Sequence, residues 1–561
     1  MMHSVTLITT IAAGFGLALI FGFLAVRLGL PALIGYLLAG VVLGPATPGY
    51  VADLEIAGQL AEIGVMLLMF GVGLHFSFQD LLSVRRIALP GAVVQIAVAT
   101  ALGAGLASLW GWKLSSGIVF GFALSVASTV VLLRALESRG ELESVNGRIA
   151  VGWLVVEDLV TVLVLVLMPP LAAVIANPGS MDGGEVLRTL ARTIGEIGVF
   201  VVLMLVVGRR LFPWLLWQVA RTGSRELFTL CVIAAALGIA YGSSALFGAS
   251  FALGAFFAGM VLRESDLSYR AAQESLPLRD AFSVLFFVSV GMLFDPAVVL
   301  TRPLEVLAVV TVILVGKSVA AFLLVIAFRY PLNTALTVSA SLAQIGEFSF
   351  ILAGLGVTLG LLPVEGQNYI LAGAIISIAL NPIVFRTIEP AERWLKARAG
   401  LARWLARRPD PLAVLPAETT AHGPAGHVVL VGYGRVGRRI GQALIERGLP
   451  FVVVEQNREL VEKLREQGVQ AVAVDAADRT ELEQAHVARA RMLVIAIPDS
   501  FQARQMIETA RTLNPGIETV VRTHSEEEAE LLSKENAGKV FMGEHELAVG
   551  MARHVLERVA P

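Results

Sequence analysis

Residues 148–170 read RIAVGWLVVEDLVTVLVLVLMPP, an apolar stretch interrupted near its middle by two adjacent acids, Glu157 and Asp158. The hydrocarbon core of a bilayer is about 30 Å thick and needs roughly 20 apolar residues per helix, so the stretch predicts a transmembrane helix. Ionisable side chains at that depth are expensive to hold in lipid and mark ion or proton pathways. The stretch therefore predicts a membrane protein with an ion site inside the bilayer.

The composition of the whole chain points the same way. Only 16% of its 561 residues are charged and 56% are hydrophobic, which is not the balance of a soluble protein. The net charge of −2 gives no basic excess to attract nucleic acid, and the single cysteine, Cys231, excludes an intramolecular disulfide. The first apolar run lacks a basic leader and a cleavage site, so it predicts a retained span.

Apolar runs fill residues 1–390 and predict a polytopic α-helical membrane region. We predict about 13 spans, at 5–26, 31–47, 55–74, 89–110, 115–136, 148–170, 188–208, 226–241, 245–262, 280–298, 303–328, 334–358 and 367–388. Arginines concentrate in alternate loops, as at Arg85 and Arg209, whereas the intervening loops hold few basic residues, as at Lys113. By the positive-inside rule the N-terminus is predicted to lie outside and the C-terminus in the cytosol.

Three ionisable residues in these spans are candidates for transport chemistry. Asp158 is the predicted ligand of a monovalent cation, which it exchanges for a proton. Lys317 also lies well inside a span, and its predicted counter-ion is Glu157. An ion pair between helices, without a transport role, is the alternative for the two acids.

Two polar clusters, SVASTVV (125–131) and SLAQIGEFSF (341–350), predict breaks in their helices. Broken helices at corresponding places in two halves of a transporter indicate a midplane ion site and an inverted repeat. Ser128 and Thr129 in the first cluster and Glu347 in the second are candidate ion ligands. The alternative for the two hydroxyls is a hydrogen bond back to their own helix, and for Glu347 a solvent-facing helix end. Apart from the transported cation, no metal site is predicted.

The C-terminal part divides into a linker at 391–426, basic and then rich in Pro and Ala, and a domain at 427–561. The domain begins with a buried strand, a glycine-rich turn, an amphipathic helix and a second strand that ends at Glu455, which is the fingerprint of a Rossmann-like nucleotide-binding unit. The predicted contact residues are Gly432, Tyr433, Gly434, Arg435, Val436, Gly437, Glu455, Asp475, Ala476 and Ala496.

The predicted ligand of this domain is AMP or NAD(H), because the glycine turn suits a phosphate and the acid suits ribose hydroxyls. No sequence resembling a substrate pocket follows, so the domain is predicted to regulate and not to catalyse. A ligand-gated cation channel and a membrane-bound oxidoreductase are the alternatives from other classes. The chain contains no TVGYG-like filter segment of the kind a selective channel uses.

Together, GRIAVGWLVVEDLV (147–160), VGKSVAAF (315–322), SLAQIGEFSF and the GYGRVG-containing domain resemble the Kef-type monovalent cation:proton antiporter-2 family, most closely its YbaL-type members with a regulatory TrkA-N (RCK/KTN) domain. The resemblance implies a homodimer, an NhaA-like fold with two crossing broken helices, and Asp158 as the ion-binding aspartate. An ancillary regulatory subunit is compatible with it. K⁺/H⁺ exchange is favoured, with Na⁺/H⁺ exchange as the alternative.

The chain departs from this family at one important place. Members regarded as electroneutral K⁺/H⁺ exchangers have Gln-Asp where this chain has Glu157 and Asp158, and some electrogenic Na⁺/H⁺ relatives have two aspartates. The sequence therefore leaves the ion and the stoichiometry open. Arg522 matches only part of the glutathione-binding motif of some Kef members, so glutathione sensitivity is not carried over.

Overall fold

The computed structural model describes residues 2–48, 51–75, 78–139, 141–142, 144–176, 183–248, 250–265, 267–398, 415, 426–456, 458–473, 482–497, 500–523, 525–535 and 537–559. The chain forms two compact units, one of residues 1–328 and 332–392 and one of residues 329–331 and 393–561. They are called the membrane unit and the C-terminal unit below.

The membrane unit is entirely helical in its described residues. Its helices are α1 (Met2–Arg27), α2 (Ala32–Leu43), α3 (Leu54–His75), α4 (Phe78–Leu109), α5 (Leu114–Ser125), α6 (Thr129–Ser138), α7 (Val145–Ala176), α8 (Gly183–Leu203), α9 (Arg209–Ala220), α10 (Arg225–Phe247), α11 (Phe251–Arg263), α12 (Ser268–Met292), α13 (Ala297–Thr301), α14 (Pro303–Thr311), α15 (Lys317–Ala327), α16 (Leu332–Leu342), α17 (Glu347–Thr358), α18 (Val364–Arg386) and α19 (Ile388–Ala397). Short π-helical turns join α8 to α9 and α14 to α15, at Met204–Gly208 and Val312–Gly316.

The predicted count of 13 spans is not confirmed. Within the described ranges 10 helices are long and apolar enough to cross a membrane, and the bent pair of α16 and α17 makes up to 11. Each predicted segment contains a helix, but α2 and α11 have only 12 and 13 residues. Helices of that length fall short of the roughly 20 residues that a full crossing needs.

Two predicted spans also differ in position from the candidate spans of the structure. The span predicted at 280–298 runs from Arg270 to Met292, because Arg279 is accommodated inside α12. Its guanidinium binds Asp280 at 2.8 Å, and its aliphatic stem lies over the backbone of Gly71. The span predicted at 188–208 is displaced to Gly198–Ala220, so that the pair Arg209 and Arg210 lies within an otherwise apolar window.

Small residues let the helices of the membrane unit pack closely. A Cβ atom added to Gly73 of α3 would collide with the carbonyl oxygen of Phe256, and one added to Gly259 of α11 would collide with that of Phe70. Such small-residue contacts are the usual means of packing helices in lipid.

Both predicted helix breaks are present. Residues Val126–Ser128, called the first unwound segment, separate α5 from α6, and Val126 and Ser128 have extended φ/ψ angles. Residues Ala343–Gly346, called the second unwound segment, separate α16 from α17, whose axes differ by 42°. Hydrogen bonds join the two segments directly, as described below, while the inverted repeat itself stays a prediction.

The C-terminal unit contains a six-stranded parallel sheet in the order β3-β2-β1-β4-β5-β6. Its strands are β1 (Val428–Val431), β2 (Phe451–Glu455), β3 (Ala471–Ala473), β4 (Met492–Ile495), β5 (Glu518–Thr523) and β6 (Lys539–Met542). The helices are α20 (Arg435–Glu446), α21 (Arg458–Glu466), α22 (Ser500–Leu513), α23 (Glu526–Lys534) and α24 (Gly543–Val559). The buried, Val-rich strands and the parallel order confirm the predicted doubly wound, Rossmann-like fold.

Candidate functional site

The two acids of α7 hold the first unwound segment from the side. The Oε2 atom of Glu157 accepts a hydrogen bond from the backbone N–H of Ala127 at 2.9 Å. The Oδ2 atom of Asp158 accepts one from the hydroxyl of Thr129 at 3.1 Å. Glu157 is 0% and Asp158 is 2% exposed. Adjacent residues on a helix point about 100° apart, so Glu157 binds the first unwound segment at Ala127 and Asp158 binds Thr129, the first residue of α6.

The second unwound segment and the start of α17 contact the same stretch of chain. The side-chain amide of Gln344 accepts from the N–H of Ser128 at 2.8 Å and donates to its carbonyl oxygen at 3.1 Å. The Ser128 hydroxyl donates to Oε2 of Glu347 at 2.9 Å, and the Ser349 hydroxyl donates to the carbonyl oxygen of Val126 at 3.3 Å. These four bonds fix the crossing point of the two broken helices.

The hydroxyls of Ser128 and Thr129 have different partners. Ser128 is the N-cap of α6 and accepts from the N–H of Val131 at 3.3 Å, in addition to its bond to Glu347. Thr129 binds Asp158. In the alternative, both hydroxyls bond only within their own helix. Ser128 makes such a bond, to Val131, but it also binds Glu347, and Thr129 binds Asp158 instead.

Three carboxylate oxygens at this crossing have no hydrogen-bond partner in the described part of the chain: Oε1 of Glu157, Oδ1 of Asp158 and Oε1 of Glu347. All three side chains are buried, and an unpaired buried acceptor is costly until a proton or a cation satisfies it. Asp158 and Glu347 are also close enough for their negative charges to repel each other. The crossing is therefore rich in acceptors and deficient in positive charge beside Asp158.

Lys317 supplies the buried positive charge near this crossing. It follows the π-helical turn Val312–Gly316, and such turns are frequent at functional sites. Its Nζ atom donates to the carbonyl oxygen of Gln344 at 3.0 Å, and its charge attracts that of Glu157. Among the described residues, no nitrogen–oxygen distance between Lys317 and Glu157 is within 4.0 Å, the limit for an ion pair. The predicted pairing is thus an electrostatic attraction and not a direct bridge.

Sequence reasoning assigned no role to Gln344 or to Gln95. The amide of Gln95, on α4, donates to the carbonyl oxygen of Ser125 at 3.2 Å, where α5 ends. Both amides are 0% exposed. An amide inside a membrane span is the signal that marks them, because burying an amide without a partner would be costly.

In the C-terminal unit the glycine turn has the predicted geometry. Gly432 has a φ of +86°, which favours glycine, and a Cβ atom on Gly437 would collide with the carbonyl oxygen of Gly432. Nothing lies within 4 Å of the position of a Cβ atom on Gly434, which leaves an open space at the N-terminus of α20. The turn lies between β1 and β4, where the strand order reverses, and ligands of such sheets bind at that point.

The other predicted contact residues lie around this turn. Arg435 is exposed and Val436 half-buried in the first turn of α20. Tyr433 is buried, and its N–H donates to Oε2 of Glu455 at 2.8 Å. Ala496 lies beside Gly437. Asp475 and Ala476 lie outside the described residues, so their roles stay predictions.

Comparison with known proteins gives two family matches. Residues 15–388 match the family described as sodium/hydrogen exchanger, transmembrane, and residues 428–543 match the TrkA-N domain. The chain is 53% identical to the Escherichia coli protein named "Putative cation/proton antiporter YbaL", over 98% of this chain and 97% of the relative. It is 31% identical to "Putative K(+) efflux antiporter KefB" of Alkalimonas amylolytica, over 94% of this chain and 78% of the relative.

Among solved structures, the sodium proton antiporter MjNhaP1 of Methanocaldococcus jannaschii aligns with a TM-score of 0.49 and 18% identity, over 71% of this chain and 99% of that one. The family assignment does not depend on this likeness. The first family match covers more than half of the chain, and the E. coli relative is similar over almost all of it. The chain therefore belongs to the transmembrane sodium/hydrogen exchanger family of cation/proton antiporters, which are secondary transporters and not enzymes, and carries a TrkA-N domain after its membrane part.

Proposed function

We propose that the protein exchanges K⁺ for H⁺, and that the two ions compete for Asp158 and Glu347. The observation that carries this proposal is the pair of buried carboxylates. Each accepts a hydrogen bond from the hydroxyl of Ser128 or Thr129 through one oxygen, and the other oxygen has no partner among the described residues. Oδ1 of Asp158 and Oε1 of Glu347 are hard oxygen ligands suited to an alkali cation. A proton on either carboxylate removes the charge that attracts the cation.

The surrounding charges support the choice of Asp158 over Glu157. The charge of Glu157 is balanced in part by Lys317, whereas both charges that act on Asp158 through space, those of Glu347 and Glu157, are negative. A buried pair of like charges holds together only with a proton or a cation between them. Glu157 thus has its compensation inside the protein, and Asp158 obtains it from the transported ion.

K⁺ is the proposed cation because the relative from Alkalimonas amylolytica is named "Putative K(+) efflux antiporter KefB" and aligns with 94% of this chain. Na⁺ is the second candidate, since the matched family is described as a sodium/hydrogen exchanger. Glu157 stands where the K⁺-exchanging members have glutamine, so this position bears on the choice between K⁺ and Na⁺.

The proposed organisation is a membrane domain at 1–390, a linker at 391–426 and a nucleotide-binding regulatory domain at 427–561. AMP or NAD(H) is the proposed ligand, with its phosphate at the open N-terminus of α20 beside Gly434. Its ribose would lie near Glu455, whose Oε2 atom also holds the glycine turn. We place the protein in a bacterial inner membrane as a homodimer, with its N-terminus outside and the regulatory domain in the cytosol.

The test uses purified full-length protein in liposomes with an imposed pH gradient and an internal pH dye. Addition of K⁺ is expected to dissipate the gradient in the wild type and not in Asp158→Asn. Glu62→Gln, which neutralises an exposed acid in the span of α3, is the matched control and is expected to retain exchange. The proposal fails if K⁺ leaves the gradient intact in the wild type, with or without AMP or NADH, and a response to Na⁺ alone would make the protein a Na⁺/H⁺ antiporter.

A further inference from the structure

One side chain holds the main chain of the first unwound segment. Gln344 binds Ser128 through both of its backbone groups, accepting from the N–H at 2.8 Å and donating to the carbonyl oxygen at 3.1 Å. Of the side chains in their usual charge state at neutral pH, only an amide supplies an acceptor and a donor side by side in this way. The reverse orientation would place NH₂ against N–H and oxygen against oxygen, so the two bonds also fix which atom is which.

Gln344 is linked to the buried lysine as well. Its own carbonyl oxygen, freed by the break after α16, accepts from Lys317 Nζ at 3.0 Å. The side chain of Gln344 is 0% exposed and lies between the lysine and the segment that faces the two acids of α7. Lys317 therefore binds the backbone of Gln344, and Ser128 binds its side chain.

The two hydrogen bonds from Gln344 to the backbone of Ser128 determine where the hydroxyls of Ser128 and Thr129 lie. With its backbone fixed, Ser128 directs its hydroxyl to Glu347, and the next residue, Thr129, directs its hydroxyl to Asp158. A Cβ atom on Gly346 would collide with Ser128, so the two unwound segments touch at this residue. The Ser128 carbonyl oxygen is occupied by the amide of Gln344 and is not presented to a cation.

We propose that Gln344 is a positioning residue for the transported cation, because it holds Ser128 so that the Ser128 and Thr129 hydroxyls orient the carboxylates of Glu347 and Asp158. This role rests on the proposed function, since it presumes that a cation binds those two carboxylates. Gln344 does not itself supply a ligand. Its effect on the cation passes through Ser128 and Thr129.

The chain offers a matched control in Asn381 of α18. Its amide is also buried, at 1% exposure, and it donates to the carbonyl oxygen of Ala340 at 2.9 Å. Ala340 lies on α16, a few residues before the second unwound segment, and not at the crossing. Replacing either amide by an acid places an ionised oxygen against a buried carbonyl oxygen, but only Gln344→Glu does so at Ser128.

The experiment compares Gln344→Glu with Asn381→Asp in the liposome assay, measuring the apparent KM for K⁺ and the maximal rate across a range of pH. At alkaline pH the ionised Glu lacks the donor for the Ser128 carbonyl, and we expect the KM to rise by about tenfold or more. At acidic pH the protonated Glu regains that donor, so the KM should return toward the wild-type value. Asn381→Asp should keep the wild-type KM and pH profile, whatever it does to the yield of folded protein.

The positioning role is overturned if Gln344→Glu keeps the wild-type KM at every pH, whether or not its maximal rate falls. Should Gln344→Glu fail to fold, Gln344→Asn keeps both amide atoms on a shorter side chain and should raise the KM without a pH dependence. A wild-type KM in Gln344→Asn would then contradict the proposal.

Failure of the proposed function gives a different result. In that case the wild type shows no exchange of K⁺ for protons, and no KM can be measured for any variant. If Asp158→Asn abolishes exchange while the Gln344 variants behave as Asn381→Asp does, the ion site stands and only the positioning role falls.

Discussion

The N-termini of α6 and α20 are both helix ends with a positive dipole, but they are built for opposite charges. At α6 the protein itself binds the backbone N–H groups of Ala127, Ser128 and Val131, through Glu157, Gln344 and the Ser128 hydroxyl. What remains there is a set of carboxylate oxygens that have no donor in the described part of the chain. At α20 the N-cap is Gly434, whose position has no side chain to cap the helix and opens to free space.

Under the proposed function, the same kind of helix end serves two different ligands. Where the donors are consumed internally, the helix end presents acceptors and suits a cation. Where the donors are left free, it suits the phosphate of a nucleotide. Four tests challenge or sharpen this contrast.

The largest effect is expected at Lys317, whose charge offsets that of Glu157 near the first of these helix ends. Lys317→Met leaves Glu157 buried without an opposite charge and removes the donor to Gln344, so it should destabilise the protein by about 3–5 kcal/mol. Thermal unfolding in detergent measures this. The double variant Glu157→Gln/Lys317→Met should recover most of the loss, because both charges are then absent.

The exposed Lys113 provides the control for this substitution, since Lys113→Met removes a charge that is in contact with solvent. It should unfold as the wild type does. An equally small effect of Lys317→Met would show that the buried charge does not stabilise the crossing.

The second test contrasts two glycines of the nucleotide-binding turn. Gly437→Ala places a methyl group against the carbonyl oxygen of Gly432 and should destabilise the C-terminal unit by about 1–3 kcal/mol. Gly434→Val has room for its side chain, so it should leave stability nearly unchanged but occupy the space predicted for phosphate. Calorimetric titration of the full chain with AMP and with NADH should show loss of binding in Gly434→Val, and retained binding would place the ligand elsewhere.

A smaller effect is expected for Thr129→Val at the ion site. The substitution keeps the shape of the side chain but removes the donor to Oδ2 of Asp158. We expect the apparent KM for K⁺ to change by about tenfold, since a hydrogen bond to a charged group contributes about 1.5 kcal/mol. Thr358→Val, at an exposed hydroxyl that bonds only within α17, is the matched control. Equal KM values for the two variants would exclude Thr129 from the site.

The smallest effect concerns the pH dependence of stability in the C-terminal unit. Burial lowers the pKa of His486, and the neighbouring His427 and Arg489 lower it further. The unfolded chain therefore takes up a proton more readily than the folded one. Stability should be full at pH values above the unfolded pKa of about 6.5 and decline as the pH falls below it.

His486→Gln should reduce this decline, as thermal unfolding of the full chain at several pH values will show. An unchanged acid dependence in the variant would mean that other groups cause it. The test separates protons that act on folding of the C-terminal unit from protons that are substrates of the membrane unit.

Sequence patterns predicted the local parts of this molecule better than their mutual contacts. The acids at 157 and 158, the two breaks and the glycine turn are visible because each disturbs a strong local pattern. The bond from Gln344 to Ser128 joins residues more than 200 positions apart, and nothing in either neighbourhood specifies the other. In the same way, α2 and α11 have apolar sequences typical of spans, but only the structure shows that their helices are short.

The most direct test of the central claim is to count the protons released when K⁺ binds to purified protein in unbuffered detergent solution. If K⁺ and H⁺ compete for Asp158 and Glu347, K⁺ binding at neutral pH should release protons, and Asp158→Asn should abolish the release. K⁺ binding without proton release in the wild type, or the same release in Asp158→Asn, would contradict the account.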